Sequence, residues 1–465
     1  MSDCENVKNG EKLEELVKKI EEEFWVPVEM LKQLADDMEL MMRKGLEDED
    51  SSCIKMLVSY VDSLPSGDEK GCYYALDLGG TNFRVMRVKL QGNRTIDLKT
   101  ESYKVPPNIK VGKLHELFDY IAEKICHVIE TETDSEIVPG KKRELGFTFS
   151  FPVQQTRINS GTLINWTKDY NVQDAIGKDM VKELTRALEK RAVDVNVTAL
   201  LNDTVGALAG GRFYDSNVVA AVVLGTGTNA AYLEQSENIL KPYGPPPESG
   251  QMVINTEWGN FNSPLLPLTE YDHALDSDSP NRHKQILEKM VSGRYLGEIV
   301  RRILERLADD AALFGDIIPP KLRQHYVLAT YNVVEMHSDK STELSVVEKC
   351  LEEVFEISDV SLEKKNVVVK ICDIVATRSG RLGAAAIMAI LKRLRKDTTK
   401  NGESVVVAVD GSLFETYKQL NSCLQKTLSE ELVDEQVSKM LLLKHFKDAS
   451  GIGAAVVAAS HSIYT

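Results

Sequence analysis

Two short segments of this chain repeat one arrangement: an apolar run, a glycine–threonine loop and a second apolar run. The first is LDLGGTNFRV at residues 76–85, and the second is VLGTGTNAAY at residues 223–232. Each segment predicts a strand, a tight loop and a second strand. A repeat of this kind constrains the fold more than any other feature, because it predicts an internally duplicated α/β protein.

The glycines of these loops leave room for a phosphate chain beside the backbone. Neither loop is a dinucleotide fingerprint or a Walker loop, since both G-x-G-x-x-G and Gly-Lys-Ser/Thr are missing. A third loop, Asp410-Gly411-Ser412, follows the apolar run SVVVAV. Three strand-end loops predict a nucleotide site. Heat-shock ATPases, actin and sugar kinases share this arrangement, and the first loop alone equally fits an ordinary hairpin turn.

The composition is typical of a soluble globular protein, with 43% hydrophobic and 27% charged residues among 465. A formal charge of −15 argues against nucleic acid or an anionic membrane as a partner. The seven cysteines are scattered and never spaced C-x-x-C, which disfavours a disulfide framework and a zinc site. We find neither a signal-peptide core nor an apolar stretch of membrane-spanning length, and therefore expect a cytoplasmic protein.

Hydrophobic periodicity predicts the remaining elements. Helices are predicted at 11–24, 27–44, 112–132, 171–190, 281–313 and 378–396. In addition to the opening hairpin, a strand is predicted at 145–153 and a strand, loop and strand within 221–234. The run 404–414 predicts a buried strand that ends at Asp410-Gly411-Ser412. A glycine-rich loop leading into a small-residue helix is predicted at 450–464.

Polar residues beside the apolar runs are candidates for substrate binding. In LLNDTVGALAGG, Asn202 and Asp203 stand between a predicted strand and a small-residue helix. Asp203 is a candidate general base that accepts a hydroxyl proton as the oxygen attacks phosphorus, although Asn and Asp are also favoured helix N-caps. Glu257 and Glu288 are candidates for binding hydroxyl groups, and Glu288 fits an exposed helix position equally well. The segments FSFPV and NWTKDY add Ser150, Thr167 and Lys168.

Nine motifs resemble those of eukaryotic hexokinases, in the same order. They are LDLGGTNFRV, FTFSFPV, GTLINWTKDYNV, LLNDTVGALAGG, LGTGTNAAY, NTEWGNF, LEKMVSGRYLGEIVRR, DGSLFETY and SGIGAAVVAASH. Over essentially its whole length the chain resembles a single-unit, plant-type hexokinase. The resemblance implies an α/β, actin-like ATPase (ribonuclease H-like) duplicated fold, with a small and a large lobe around a central cleft. The implied divisions are 1–65 for N-terminal helices on the large lobe, 66–201 with 448–465 for the small lobe, and 202–447 for the large lobe.

The resemblance also implies a role for each matching position. The sugar-binding positions are Ser150, Thr167, Lys168, Asn202, Asp203, Asn229, Glu257 and Glu288. The nucleotide-binding positions are Asp77, Gly79, Gly80, Thr81, Asn82, Gly225, Thr226, Gly227, Thr228, Gly411 and Ser412. Asp203 is the implied catalytic base, and Asp77 is the acid that acts near Mg²⁺ through water. Arg84 and Lys168 are the candidate positive groups near the developing charge.

The implied reaction is ATP-dependent phosphorylation of the 6-hydroxyl of glucose and related hexoses, giving hexose 6-phosphate and ADP. ATP and Mg²⁺ are the implied cofactors. The expected partner is a small-molecule hexose, and we expect a monomer that binds no nucleic acid and does not span a membrane. Two alternatives stay open: a sugar-binding regulator with little or no turnover, and a chaperone or filament ATPase on the same fold.

The sequence departs from the usual family pattern within three motifs. Asp169 and Tyr170 stand where Gly-Phe is usual, and Thr256 and Arg294 each stand where Met is usual. Asp169 adds a negative charge beside Lys168, a group expected to meet phosphate. These departures are the basis of the regulator alternative.

Overall fold

The computed structural model describes residues 2–80, 82–131, 141–166, 170–315, 317–395 and 404–462, with residues 2–9 described by their backbone alone. The strands are β1 Leu57–Val58, β2 Lys70–Leu78, β3 Asn82–Gly92, β4 Thr95–Lys104, β5 Arg143–Phe149, β6 Val153–Arg157, β7 Ser160–Leu163, β8 Val195–Leu201, β9 Val218–Leu224, β10 Thr228–Gln235, β11 Gln251–Asn255, β12 Val405–Asp410 and β13 Leu441–His445. The helices are α1 Ser2–Phe24, α2 Val28–Glu47, α3 Pro107–Lys110, α4 Leu114–Glu130, α5 Met180–Lys190, α6 Asp203–Tyr214, α7 Glu270–Asp278, α8 Ile286–Val291, α9 Leu296–Ala311, α10 Thr330–Ser338, α11 Ser345–Phe355, α12 Leu362–Arg393, α13 Ser412–Thr416, α14 Lys418–Lys426, α15 Glu435–Ser438 and α16 Ala449–Ser460.

Two mixed sheets repeat the same strand topology. The first sheet has the order β4-β3-β2-β5-β8, and the second has β1-β11-β10-β9-β12-β13. In the first, β2 pairs antiparallel with β3 and parallel with β5, which pairs parallel with β8. In the second, β9 pairs antiparallel with β10 and parallel with β12, which pairs parallel with β13. The duplication predicted from the two glycine–threonine loops is therefore present in the topology, with β1 added at one edge.

Helices α6 and α16 pack against each other between the two sheets. α16 lies on the first sheet and α6 lies on the second. The helices cross so closely that a Cβ on Gly453 would lie 1.9 Å from the carbonyl oxygen of Gly206, and one on Gly210 would lie 2.1 Å from that of Ala449. The small residues of VGALAGG and SGIGAAVVAAS are thus a requirement of this crossing, since larger side chains would separate the helices.

The two N-terminal helices pack against the helices α9 and α12. α1 lies against α9 and α12, and α2 lies against α12. α12 is apolar and long enough to cross a membrane by length and composition, a feature that the sequence analysis missed. Its apolar window is 94% buried inside the protein, as in the core helix of a globular domain.

Four sequence-predicted boundaries were wrong. The strand predicted at 145–153 is broken after Phe149, because Pro152 has no N–H for a strand ladder. The helix predicted at 281–313 is interrupted between Val291 and Leu296, where the backbone bonds to the second glycine loop instead. The predicted helix at 378–396 is the second half of α12, and the glycine-rich loop predicted at 450 is already the first turn of α16.

Candidate active site

The ends of three parallel strands place predicted site residues along one edge of the first sheet. Leu78 pairs with Phe149, and Thr148 pairs with Leu201, so the loops after β2, β5 and β8 emerge side by side. Neighbouring strands lie about 4.8 Å apart. Ser150 is buried, and its N–H donates to the carbonyl of Leu78 at 3.1 Å. Ser150, the first glycine loop and the start of α6 therefore share this edge.

The first glycine loop joins β2 to β3, and an ion-pair network connects these two strands beside the loop. Gly79 N–H donates to the carbonyl of Asn82 at 3.2 Å, and Asn82 is exposed. On β2, the buried Asp77 carboxylate accepts from the Arg84 guanidinium at 2.5 Å and from the Ser450 hydroxyl at 3.0 Å. Arg84 also pairs with Asp448. Strand β3 and the start of α16 are thereby fixed around the Asp77 carboxylate.

The charges of this network act on the pKa of its members. Burial lowers the pKa of the Arg84 guanidinium, but the carboxylates of Asp77 and Asp448 outweigh burial, and the pKa is raised overall. Asp410 lies near the same network, at the end of β12. Burial, reinforced by the charge of Asp77, raises the pKa of the Asp410 carboxyl to about 6. The two sheets therefore bring Asp77 and Asp410, one from each glycine-loop region, within electrostatic reach of each other.

The second glycine loop joins β9 to β10 and is held from two sides. Gly293 N–H donates to the Gly225 carbonyl at 2.8 Å, and Arg294 N–H donates to the Thr226 carbonyl at 3.0 Å. On the other side lies Gly411, where a Cβ would stand 2.4 Å from the carbonyl oxygen of Leu224. The Asp410-Gly411-Ser412 segment and the second loop are thus in contact, as the predicted nucleotide site requires. Thr226 and Ser412 are exposed beside them.

The turn between β8 and α6 carries Asn202 and Asp203. Asn202 is the N-cap of α6, and its Oδ1 accepts from the N–H and the hydroxyl of Thr204 at 3.0 and 2.6 Å. Asp203 is the first residue of the helix, is half-buried, and also accepts from Thr204 N–H, at 2.9 Å. Both residues therefore accept hydrogen bonds at the start of α6, as the helix-capping interpretation predicts. Capping does not compete with a role at the site, because a carboxylate has a second oxygen.

A network of amides and a carboxylate spreads from Asn202 across the second sheet. Asn229 on β10 donates to the side chains of Asn202, Asn255 and Glu257 at 3.3, 2.8 and 3.4 Å. Asn255 in turn donates to Glu257 at 2.9 Å. Glu257 has a left-handed backbone with φ 54°, which turns the chain sharply after β11. Three predicted sugar-binding residues are thereby brought into one cluster beside Asp203.

Glu288 is not the exposed helix acid that the sequence allowed. Its carboxylate is partly buried and accepts from the N–H of Thr228 at 3.0 Å and from the Gln285 amide at 3.0 Å. A Cβ on Gly227 would stand 2.5 Å from Glu288 Oε2, so this position of the second loop has no room for a side chain. The Thr228 hydroxyl accepts from the Trp258 indole at 3.0 Å. Glu288, a predicted sugar-binding residue, is therefore bonded to the second loop.

Thr81, Thr167 and Lys168 lie outside the described residues, as does Asp169. The other departures from the family pattern lie within the described residues, and the hydroxyl that distinguishes Tyr170 from the usual Phe is buried without a hydrogen-bond partner there. Thr256 is fully buried, and its hydroxyl donates to the Ala230 carbonyl at 2.8 Å. Tyr170 stacks on Trp166 with ring centroids 5.2 Å apart. Arg294 holds the second loop through its backbone, as described above.

Sequence reasoning missed several residues of this site. Asn255 is central to the amide network, and Asp448 and Ser450 position Arg84 and Asp77. The only signal for Asn255 is its place two residues before Glu257 at the end of an apolar run. For Asp448 and Ser450, the signal is that they open the small-residue helix. Neither signal specifies the partners Asn229, Arg84 and Asp77, because each lies more than 20 residues away in the chain.

Comparisons with known proteins point to one family. Residues 16–213 match one family model described as hexokinase, and residues 219–460 match another with the same description. Hexokinase-1 of Spinacia oleracea and hexokinase-2 of Solanum tuberosum are each 52% identical over 454 residues, covering 97% of this chain and 91% of theirs. Hexokinase-7 of Oryza sativa subsp. japonica is 48% identical, covering 97% of this chain and 98% of its own.

Solved structures agree with the architecture. Hexokinase from Schistosoma mansoni complexed with glucose superposes with a TM-score of 0.87 at 34% identity, covering 97% of this chain and 99% of that chain. A second hexokinase crystal structure superposes with a TM-score of 0.82 at 30% identity and the same coverage. The predicted duplicated fold with two lobes is confirmed. Both family models match, the sequence identity extends over nearly the whole length, and the fold is shared. This chain therefore belongs to the hexokinase family and is similar to the plant members.

Proposed function

We propose that this chain transfers the γ-phosphoryl group of ATP to the 6-hydroxyl of glucose and related hexoses, giving hexose 6-phosphate and ADP. The observation that carries the proposal is the cluster of Asn202, Asn229, Asn255 and Glu257 beside Asp203. A hexose is a ring of hydroxyls, so a site of amides and carboxylates offers each hydroxyl a donor or an acceptor. A sugar that lacks one hydroxyl leaves a polar group of this cluster unpaired, which costs binding energy.

Asp203 is the general base of the proposed reaction. It begins α6 at the point where the amide cluster meets the edge of the first sheet, between the two glycine loops. A carboxylate there accepts the proton of the 6-hydroxyl as that oxygen attacks phosphorus. The bond from Thr204 N–H restrains the orientation of the Asp203 side chain.

The two glycine loops and the Asp410-Gly411-Ser412 segment would hold the nucleotide. Their backbone N–H groups replace the missing Walker lysine in contacting phosphate. Mg²⁺ enters with ATP and neutralises charge on its phosphates. Asp77 and Asp410 offer the carboxylate oxygens that Mg²⁺ prefers. Because Asp77 already accepts bonds from Arg84 and Ser450, we assign it to metal-bound water, in agreement with the role implied by the family resemblance.

We further propose that the protein acts as a monomer in the cytoplasm. The six cysteines with described side chains are all free thiols, which fits a reducing compartment. Size-exclusion chromatography with light scattering, and localisation of a tagged full chain, test these two proposals.

A coupled turnover assay tests the proposed reaction. Purified full-length protein is supplied with glucose and MgATP, and glucose 6-phosphate is followed through reduction of NADP by its dehydrogenase. We expect turnover that depends on glucose, ATP and Mg²⁺. Calorimetry with glucose runs in parallel, because sugar binding without product formation would support the regulator alternative instead. Hydrolysis of ATP without any effect of sugar would support the chaperone or filament ATPase.

A further inference from the structure

Lys110 contacts the first glycine loop from outside the motifs that define the family resemblance. Its Nζ donates to the carbonyl oxygen of Gly80 at 2.8 Å. The residue ends α3, the short helix Pro107–Lys110, and is half-buried. The lysine ammonium carries three N–H donors, and its bond to the Gly80 carbonyl uses one of them. A positive charge therefore stands at the backbone that the proposed function assigns to ATP phosphates.

The same ammonium also contacts the sugar side of the cleft. Lys110 Nζ lies 5.1 Å from the centroid of the Tyr170 ring, within the range of a cation–π interaction. Tyr170 ends the NWTKDY motif, stacks on Trp166 and packs edge-on against Phe151, with ring centroids 5.0 Å apart. The Tyr170 ring is 5% exposed, so its position is set by this packing.

The backbone fixes where Lys110 can reach. Its carbonyl accepts from the N–H of Asn171 at 2.9 Å, next to Tyr170 in the chain. Its N–H donates to Pro106 at 3.2 Å within the turn of α3. Lys110 therefore joins α3 to two loops. Its ammonium bonds to Gly80 in the first glycine loop, and both its side chain and its backbone contact residues 170–171, through the Tyr170 ring and the Asn171 N–H.

We propose that Lys110 is a positioning residue that couples the sugar-binding loop to the first phosphate loop. A shift of Tyr170 when sugar binds would be passed to the Lys110 ammonium through the ring contact, and from the ammonium to the Gly80 carbonyl of the loop proposed to hold ATP. The inference rests on the proposed function, since it assumes that the two loops hold sugar and nucleotide. It assigns Lys110 to the coupling between the ligands and leaves the chemical step to Asp203.

Calorimetry on the full-length protein measures this coupling directly. The Kd of MgADP is determined without glucose and with saturating glucose, and the ratio of the two values is the coupling factor. For Lys110→Met we expect the coupling factor to fall roughly ten-fold, the size of effect typical of a lost hydrogen bond to a charged group. The Kd of glucose in the absence of nucleotide should stay within about two-fold of the wild-type value, since other residues bind the sugar.

Steady-state kinetics give the second readout. In Lys110→Met, the KM for ATP should rise by roughly the same factor, while kcat changes much less, because the base and the sugar site are intact. Lys110→Arg keeps the charge and should restore part of the coupling. Tyr170→Leu removes the ring and should lower the coupling factor by roughly three-fold, in line with a partly exposed cation–π contact.

Lys124→Met is the matched control. Lys124 lies in the same lobe, with its ammonium 5.2 Å from the Tyr120 ring, and its hydrogen bond goes to Glu123. It should leave the coupling factor, the KM for ATP and kcat unchanged. If Lys110→Met lowers the melting temperature strongly, Lys110→Gln replaces it, because glutamine can still donate to the Gly80 carbonyl and tests the charge alone.

An unchanged coupling factor in Lys110→Met overturns the inference, as does a wild-type protein in which glucose and MgADP bind independently. A fall of the same size in Lys124→Met also overturns it, because the effect would then belong to surface charge in general. If the wild-type protein forms no sugar phosphate but binds glucose and nucleotide with coupling, the proposed reaction fails while the calorimetric test of Lys110 still stands.

Discussion

The two glycine loops of this protein look alike in sequence and are held in different ways. The second loop is enclosed: Gly293 and Arg294 bond to its carbonyls, Glu288 lies against Gly227, and Gly411 lies against the strand that enters it. The first loop is open. Among the described residues, a Cβ on Gly79 would meet only the Asn82 carbonyl, at 3.4 Å.

This difference separates two reasons for a glycine. In the second loop the Glu288 carboxylate fills the space beside Gly227, and the Leu224 carbonyl fills the space beside the neighbouring Gly411, whereas a Cβ on Gly225 would make only ordinary contacts with Gly411 and Ser412, at 3.6 and 3.7 Å. Around Gly79 of the first loop the described protein atoms leave the space open, so the proposed phosphate is what requires glycine there. Packing of the protein itself therefore accounts for glycine at 227 and 411, and the proposed ligand accounts for it at 79. The predictions below test this separation.

The largest expected effect comes from a residue that belongs to neither loop. Asp203→Ala should lower kcat by roughly 10²–10⁴, because it removes the general base while both loops stay in place. The coupled assay measures kcat, and thermal unfolding checks that the fold survives. Asn202 still caps α6 in this variant, so the melting temperature should change little. Full turnover in Asp203→Ala would contradict the assignment of the base.

Gly411→Ala should damage the enclosed loop. Gly411 has φ +109°, which side chains rarely adopt, and the added Cβ would collide with the Leu224 carbonyl. We expect a loss of roughly 2–4 kcal/mol in the free energy of unfolding. Urea unfolding followed by circular dichroism measures it.

Gly79→Ala is the matched substitution in the open loop. Its free energy of unfolding should fall by less than about 1 kcal/mol, since the new methyl group has room. Its KM for ATP should rise instead, because the methyl group occupies space proposed for phosphate. Equal losses of stability in the two variants would remove the distinction between the loops.

Asn255→Ala tests the amide network beneath the second loop. Asn229 and Glu257 each lose a hydrogen-bond partner, so we expect the KM for glucose to rise roughly ten-fold, with a smaller fall in kcat. The control is Asn238→Ala, which removes a comparable bond of 2.7 Å to Glu234 outside the network. An unchanged KM for glucose in Asn255→Ala would mean that the network does not shape the sugar site.

Asp410→Asn tests the carboxylate beside the enclosed loop and has an effect that depends on pH. Because the pKa of Asp410 is raised to about 6 in the folded protein, its ionised form costs stability at higher pH. That cost is absent below about pH 4, develops as pH rises from about 4 to about 6, and is complete above that range. The variant should therefore be more stable than the wild type at pH 8, by at most about 3 kcal/mol, and equal to it at pH 4. Thermal melts at pH 4, 6 and 8 measure the difference.

Asp215→Asn is the control of opposite sign. Although burial acts to raise the pKa of Asp215, hydrogen bonds from Lys444 and Asn217 N–H lower it below the ordinary value. Its ionised form stabilises the fold at neutral pH, and this contribution is lost in acid. Asp215→Asn should therefore be less stable than the wild type at pH 8. A gain of stability at pH 8 in both aspartate variants would point to a general effect of net charge instead.

Much of the fold and of the candidate site could be predicted from the sequence because the information is local. The alternation and glycines around Gly79 and Gly225 specify strand–loop–strand units wherever they occur in a chain. The pairing of Asn202 with Asp203 before a small-residue run predicts a helix start whatever its surroundings. Motif order then supplied the roles of Glu257 and Glu288 through the family resemblance.

The rest depends on contacts between segments far apart in the chain. Glu288 could be an exposed helix acid until the fold brings Thr228 N–H to it across 60 residues. Lys110 has no motif of its own, and only the packing of α3 beside residues 170–171 carries its charge to Gly80. The break between α8 and α9 was missed for the same reason, since the backbone there bonds to the second loop.

The sequence by itself determined the duplicated strand topology, the three glycine loops and the hexokinase resemblance, because periodicity and turn chemistry act between near neighbours. Only the tertiary structure decided which loop is enclosed and which is open, that Asp77 and Asp410 share one electrostatic environment, and that Asn255 joins the sugar cluster. The physical reason is that close packing and electrostatic coupling depend on distances in space, which a one-dimensional pattern does not contain.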